Sequence, residues 1–253
     1  MSRAWKKRQR TEVHQVKVGC CGFPKGMKHY FSQFRLVEVQ QTFYKPPTLK
    51  TALRWRQEAP EDFEFAIKAW QLITHLATSP TYRKVGFRIP QATARYYGFF
   101  KPSDEVLEAW EKTRDIANAL QAKLIVFQCP ATFTDCAGNT ENMRLFFNRL
   151  DREDFLFVWE PRGKWSNKTI TALCHDLDLI HCVDPLYKPP LYGEIKYFRL
   201  HGGPGYRHQY TDEELDRLKT MSIGETCVLF NNIAMYEDAL KFIGLMEKGK
   251  DEK

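Results

Sequence analysis

No apolar stretch in the chain approaches the roughly 20 residues that a helical membrane span needs, and its start lacks the hydrophobic region of a signal peptide. The expectation is a cytoplasmic protein with no membrane partner. Seven cysteines are present, but they are odd in number and include no Cys-x-x-Cys pair, which fits reduced thiols better than a disulfide framework. No repeat of fixed period stands out beyond an alternation of strands and helices, and no motif marks a redox or nucleotide cofactor.

What is present fits an ordinary globular chain. Hydrophobic residues make up 43% and charged residues 27% of 253 positions, enough to build one large core. The net charge is +7, but it is unevenly spread. Arg3, Lys6, Lys7, Arg8 and Arg10 stand against Glu12 in the first 15 residues, a net +4 that leaves only +3 for the rest. A basic tail of this kind holds polyphosphate or simply keeps the start in water. The segment EKGKDEK from Glu247 reads as a second solvated tail, so the domain is expected over 16–246.

Eight short β-branched or aromatic runs each end in a polar residue. They are Val16 to Gly22, Leu36 to Thr42, Phe63 to Ala69, Lys123 to Pro130, Phe155 to Arg162, Leu179 to Pro185, Ile195 to Gly203 and Thr226 to Asn232. Helical segments lie between them: TLKTALRWRQEA after Pro46 and Pro47, a helix opening at Ser103-Asp104, another at Thr211, and a last one from about Ala234. Alternation of this kind argues for an α/β fold with a parallel sheet. The length matches the roughly 250 residues of a TIM-barrel-like (β/α)8 domain. Two departures are expected. About 53 residues separate the third and fourth strands, room for an insertion over the mouth rich in aromatic and basic residues from Tyr82 to Phe100. Only nine, Leu186 to Glu194, join strands 6 and 7, too few for a full crossover helix.

In a parallel barrel the C-terminal strand ends share one face, where such folds build their sites. Side chains two apart on a strand point the same way, so Glu160 lies with Arg162, Arg199 with His201, and Glu38 with Gln40 and Thr42. Glu160, Asp184 and His201 come from three successive strands and form a candidate acid/base or metal-binding group; a divalent metal is one reading, a buried ion-pair network without chemistry another. Lys68, Arg162 and Arg199 suit a phosphate or carboxylate. Gln128, Asn231, Asn232 and Tyr44 would orient such a ligand. His75, just past strand 3, reads as a second acid/base group or as a hydrogen-bonding partner. Cys20 and Cys21, with no base beside them, read as small buried hydrophobes. The Gly202-Gly203 step serves either close approach of a ligand or unusual dihedrals.

The ordered set GCCGFP, VEVQQTFYKPP, FEFAIKAWQLITH, LIVFQCPATF, FVWEPRGKW, HCVDP, YFRLHGGPGY and VLFNNIAMYEDA resembles the YecE-like family, domain of unknown function 72, in an archaeal-type branch. The resemblance covers about Val16 to Phe242. It implies a TIM-barrel-like fold and supplies no established reaction. The recurrent positions of that family correspond here to Glu38, Phe43, Tyr44, Lys68, His75, Gln128, Pro130, Glu160, Arg162, Trp165, Asp184, Arg199, His201, Gly202, Asn231 and Asn232. The chain departs at Cys20-Cys21-Gly22-Phe23, where the family has a Thr-Ser-Gly-Trp-like turn, so a role for those hydroxyls does not carry over.

These residues predict an enzyme of hydrolase or isomerase type with its site at the barrel mouth and an anionic small molecule or phosphodiester as ligand. The alternative is a non-catalytic nucleic-acid-binding protein that uses the basic tail and the Tyr82 to Phe100 segment.

Overall fold

A computed structural model describes residues 16–248. Its eight strands are β1 (Val16–Cys20), β2 (Leu36–Val39), β3 (Glu64–Lys68), β4 (Leu124–Gln128), β5 (Leu156–Glu160), β6 (Leu179–Val183), β7 (Lys196–Leu200) and β8 (Thr226–Phe230). They close in sequence order into one parallel barrel, with β8 returning to pair along the whole of β1. The helices are α1 (Met27–Gln33), α2 (Gln41–Tyr44), α3 (Leu49–Glu58), α4 (Gln71–Thr74), α5 (Asp104–Leu120), α6 (Ala137–Arg149), α7 (Asn167–Leu177), α8 (Asp212–Met221) and α9 (Met235–Lys248). The basic N-terminal tail lies outside the described residues. So does the C-terminal tail beyond Lys248, where α9 ends two residues into the segment read as solvated. Among the described residues no helix is long and apolar enough to cross a membrane.

The period of two along each strand sorts the core into two layers. Leu36, Ala66, Val126, Val158, Tyr197 and Leu229 fill the lumen, while their neighbours Val37, Ile67, Phe127, Trp159, Phe198 and Phe230 pack outward against the helices. Moving two residues further along each strand turns the lumen from apolar to polar: Leu36 gives way to Glu38, Ala66 to Lys68, Val158 to Glu160, Tyr197 to Arg199, and Leu229 to Asn231. That gradient puts the charged groups at the C-terminal mouth.

Local signals set the helix starts. The Ser103 hydroxyl accepts from the Val106 amide to open α5, Thr48 does the same for α3, and Thr211 and Glu214 form a reciprocal capping box at α8. Strand 2 is shorter than its sequence suggests. It ends at Val39, and Gln41–Tyr44 turns into α2, so Thr42 does not share the face of Glu38. Its hydroxyl instead donates to the carbonyls of Val39 at 2.9 Å and Lys68 at 2.8 Å, tying the exits of β2 and β3 together.

Both expected irregularities are present. No helix joins β6 to β7, and only Cys182–Tyr197 and Val183–Phe198 are in register there, against five pairs between β7 and β8. Between β3 and β4 the chain makes α4 and two 3-10 turns, Pro80–Lys84 and Ala94–Tyr96, before α5 begins. This excursion is pinned where the Gly98 amide donates to Leu72 at 2.8 Å and Phe100 to Ile73 at 2.9 Å. Gly98 has φ +79°, and a Cβ there would sit 2.3 Å from the His75 carbonyl oxygen, so only glycine permits the approach.

Candidate active site at the barrel mouth

The floor of the mouth is an ion-pair network built by four strands. Arg199 on β7 is fully buried. One guanidinium nitrogen donates to Glu160 of β5 and to Gln128 Oε1 of β4 at 3.2 Å; the other donates to Glu38 Oε1 of β2 at 2.9 Å. Tyr197, two residues earlier on the same face, donates to the second Glu38 oxygen at 2.9 Å, and the Gln40 amide also donates to Glu38. Burial alone would lower the Arg199 pKa, but Glu160 and Glu38 outweigh it and hold the guanidinium permanently charged. Arg199 was expected to hold a ligand anion. Instead its two terminal nitrogens are taken up by the carboxylates of Glu160 and Glu38 beneath the mouth, the ion-pair reading of that residue, and Nε is left without a partner among the described residues.

Above this floor Glu160 meets an imidazole. Its Oε1 lies 2.8 Å from His201 Nε2, and Asn231 Nδ2 lies 3.1 Å from Nδ1 on the far side of the ring. The amide donates, so Nδ1 accepts and Nε2–H points at the carboxylate. Arg162 Nε donates to the same Glu160 oxygen at 3.1 Å. Its Nη2 is 3.2 and 3.1 Å from the two ring nitrogens. An in-plane atom equidistant from both would collide with the carbon between them, so the guanidinium lies across the ring face. Burial pushes the Glu160 carboxyl upward, but Arg199, Arg162 and His201 together hold it well below the ordinary range. Glu160 is therefore a fixed anion that orients His201, rather than a carboxyl that gives up or takes a proton. The His201 side chain is 20% exposed against 7% for Glu160, so the imidazole is the more open group of this pair.

Other residues of the expected site do different work. Asp184 accepts from the His201 amide at 3.2 Å and the Leu186 amide at 3.2 Å. It shapes the start of the irregular connection and fixes the backbone of His201, while burial raises its carboxyl. Asn232 is buried, donating to the His208 carbonyl at 2.8 Å and to Asp238 at 2.6 Å. His75 is buried with Nδ1 at 2.8 Å from the Thr74 hydroxyl and its ring edge-on to Phe43. Burial, then Lys68, then Arg162 push its pKa down to about 3, so it stays neutral and serves as a partner. Tyr44 carries Lys84 over its ring at 4.8 Å.

Gly202 answers the question its sequence leaves open. It has φ +65°, and a Cβ there would lie 2.6 Å from Asn232 Cβ and 3.0 Å from the His208 carbonyl oxygen. The need is for a conformation and a close packing, not for ligand access. Gly202→Ala is expected to destabilise the protein by about 1–3 kcal/mol, read as a lowered urea midpoint; an unchanged midpoint would show that this turn repacks freely.

Burial keeps the Cys20 and Cys21 thiols protonated at neutral pH. All seven cysteines are free; burial raises Cys20 to about 12 and Cys21 well above its ordinary value. Among the described residues no three His, Cys, Asp or Glu side chains are grouped to hold a metal. The donor set does not fit one: the oxygens of Glu160 face two guanidiniums and an imidazole, and those of Asp184 face backbone amides.

Two cavities open at the mouth. One, of about 650 Å³, is walled by Gln40, Phe43, Tyr44, Lys68, Gln128 and Asn231 and bounded by Thr81 of the excursion. The other, of about 820 Å³, lies over β5 and β6, beside Asp184, Tyr187 and Lys188. Arg162 lines both, and it is the guanidinium lying across His201. Tyr206, whose hydroxyl accepts from Arg162 at 3.2 Å, and Tyr197 are parts that sequence reasoning missed. Tyr197 was legible, since it stands two residues before Arg199 on one strand.

Comparison with known proteins gives the fold independent support. The profile of a family described as protein of unknown function DUF72 matches residues 20–251. The chain is similar to a DUF72 family protein from Enterococcus faecalis V583, with 19% identity and TM-score 0.68 over 95% of this chain and 99% of that one. A DUF72 family protein from Thermotoga maritima MSB8 matches with 20% identity and TM-score 0.63 over 92% and 100%. A xylose isomerase domain containing protein from Salmonella typhimurium LT2 matches with 11% identity and TM-score 0.57 over 94% and 98%. At such identities the likeness is one of fold. No curated protein matches the chain in sequence.

Proposed function

The chain belongs to the DUF72 family, and from the geometry of its barrel mouth we propose that it is an acid/base enzyme, of isomerase or hydrolase type, acting on a small anionic ligand. One observation carries this reading: a partly exposed imidazole, held between a buried fixed carboxylate at 2.8 Å and an amide at 3.1 Å, at the C-terminal end of a barrel strand. A carboxylate behind an imidazole sets its tautomer and stabilises the cation formed when Nδ1 exchanges its bond from the Asn231 amide for a proton from the ligand. His201 moves the proton; Glu160 and Asn231 orient it. Arg162 is the guanidinium that borders both cavities, so a phosphate or carboxylate on the ligand would meet it first. The likeness to a xylose isomerase domain containing protein favours the isomerase side only as an analogy of fold. The free thiols support a reducing, cytoplasmic setting, and the archaeal-type branch rests on the sequence motifs.

A second reading has its own observation. Arg83, Lys84, Arg88 and Arg95 are all exposed on the excursion, beside the exposed rings of Phe87 and Tyr96. Basic and aromatic groups so mixed suit a single-stranded nucleic acid.

A thermal-shift screen separates the two. Sugar phosphates, nucleotides and short oligonucleotides are offered to the wild type, His201→Ala and Arg162→Ala. A ligand at a hundred times its Kd stabilises the native state by about 2.7 kcal/mol, which is roughly 5–10 °C for a chain of this size. The expected result is a small-anion shift that falls in both variants. Stabilisation by oligonucleotides alone, equal in all three proteins and steeply salt-dependent, would replace the enzyme with the binding reading.

A further inference from the structure

Lys68 differs in kind from the other cations of the mouth. It stands at the end of β3, only 4% exposed, and its amine lines the 650 Å³ cavity. Among the described residues that amine has no hydrogen-bond or ion-pair partner; it stands over the face of Phe43, 4.0 Å from the ring centre. The carboxylates whose charge acts on it, Glu38 and Glu160, are already engaged by Arg199. A buried amine with no acceptor is a costly feature if its only task is charge.

We propose that Lys68 is a nucleophile that condenses with the carbonyl group of an anionic aldehyde or ketone bound in this cavity. The lone pair of the neutral amine adds to the carbonyl carbon and gives a carbinolamine. Its hydroxyl takes a proton and leaves as water, and the C=N bond forms. The protonated imine draws electrons from the adjacent carbon, so a base can remove a proton there; hydrolysis later returns the amine and the rearranged carbonyl compound. No oxidant or reductant enters. The inference rests on the acid/base reading in one respect, since it gives that proton to His201, whose ring bonds to Asn231 in the wall of this cavity, and it narrows the substrate to carbonyl compounds carrying an anion for Arg162.

The electrostatics fit the requirement for a neutral amine. Burial and then Arg199 push the amine down, Glu38 and Glu160 partly oppose them, and the result is a pKa of about 7 instead of the ordinary 10.5. The folded protein therefore holds fewer protons than the unfolded chain between those values, so this residue makes stability rise as the pH rises from about 7.

The test needs no knowledge of the natural substrate. Pyridoxal 5′-phosphate, an aldehyde carrying a phosphate, is added to the full chain across pH 6–9, reduced with borohydride, and the adducts are mapped by peptide mass spectrometry. The expected result is one dominant adduct at Lys68, forming more readily than at surface lysines, with a rate that rises with pH through a midpoint near 7. Adducts spread over surface lysines with Lys68 unmodified would overturn the proposal, as would undiminished single-site labelling of Lys68→Met. His201→Ala should keep the Lys68 adduct. A missing adduct in the wild type removes the imine step alone, whereas ligand shifts indifferent to His201→Ala and Arg162→Ala remove the acid/base reading alone.

Discussion

Arg199→Leu is expected to destabilise the protein by about 3–5 kcal/mol, the cost of breaking a buried ion pair from one side. The substitution leaves Glu38 and Glu160, both buried, without the guanidinium that joins them, and only Glu160 keeps an arginine, Arg162. A typical domain has only 5–15 kcal/mol in total, so a large share of the fold rests on one guanidinium. Urea unfolding of the wild type and the variant measures it, and a loss under about 1 kcal/mol would mean that the carboxylates find other partners. Replacing all three charges at once, with Glu38→Gln and Glu160→Gln added, should recover most of the loss, because no unpaired charge then remains. Acid gives the same information in the wild type. Glu160 is held well below its ordinary value near 4.5, so its contribution is complete above that pH and drains away as the pH falls toward the folded value. Arg199→Leu, with less of that contribution to lose, should show a shallower fall below pH 4.5.

The barrel was legible because its strands announce themselves twice, by β-branched runs and by the polar residue that ends each run. Period two then placed Glu160 with Arg162 and Arg199 with His201, and the structure brings those four together. What the pattern did not convey is depth. Arg199 and His201 share a face, yet Arg199 is one lumen layer lower, sealed by the groups above it, while His201 reaches solvent. Three cations therefore looked equivalent in sequence and are not: Arg199 is locked to carboxylates, Arg162 lies open across the imidazole, and Lys68 has no acceptor. Counting residues back from the strand end would have separated the first two. The isolation of Lys68 depends on which carboxylates Arg199 engages across the lumen, and no local pattern carries that.

Asp184 shows a second limit. An acid at a strand end reads as a functional group, but it is followed by Pro185 and a connection with no helix, and there its oxygens are drawn to the backbone amides of Leu186 and His201. Thr42 was placed on the wrong element for a similar reason, since the polar run Gln40-Gln41-Thr42 continues the alternation of β2 although the chain has already turned into α2. In both cases the strand ended earlier than its polar exit suggested, and the released side chain bonded to the backbone.

With the ligand found by thermal shift, His201→Ala is expected to lower turnover by about 10²–10⁴-fold, the range for losing a general acid/base group. Folding should survive, because the imidazole is partly exposed and bears no core packing. Glu160→Gln should lower kcat with little change in KM, since Glu160, although it borders the larger cavity, is already engaged by Arg162, Arg199 and His201 and acts by setting the tautomer and charge of His201. The decisive comparison is the double variant. If carboxylate and imidazole form one device, His201→Ala, Glu160→Gln will be no slower than His201→Ala alone. Losses that multiply would mean that Glu160 acts on the ligand by its own route, and unaffected turnover in both single variants would remove His201 from the chemistry. Arg199 stands behind both, so any partially folded Arg199→Leu should share the kcat defect of Glu160→Gln, because the guanidinium that neutralises Glu160 also fixes where its oxygen meets Nε2.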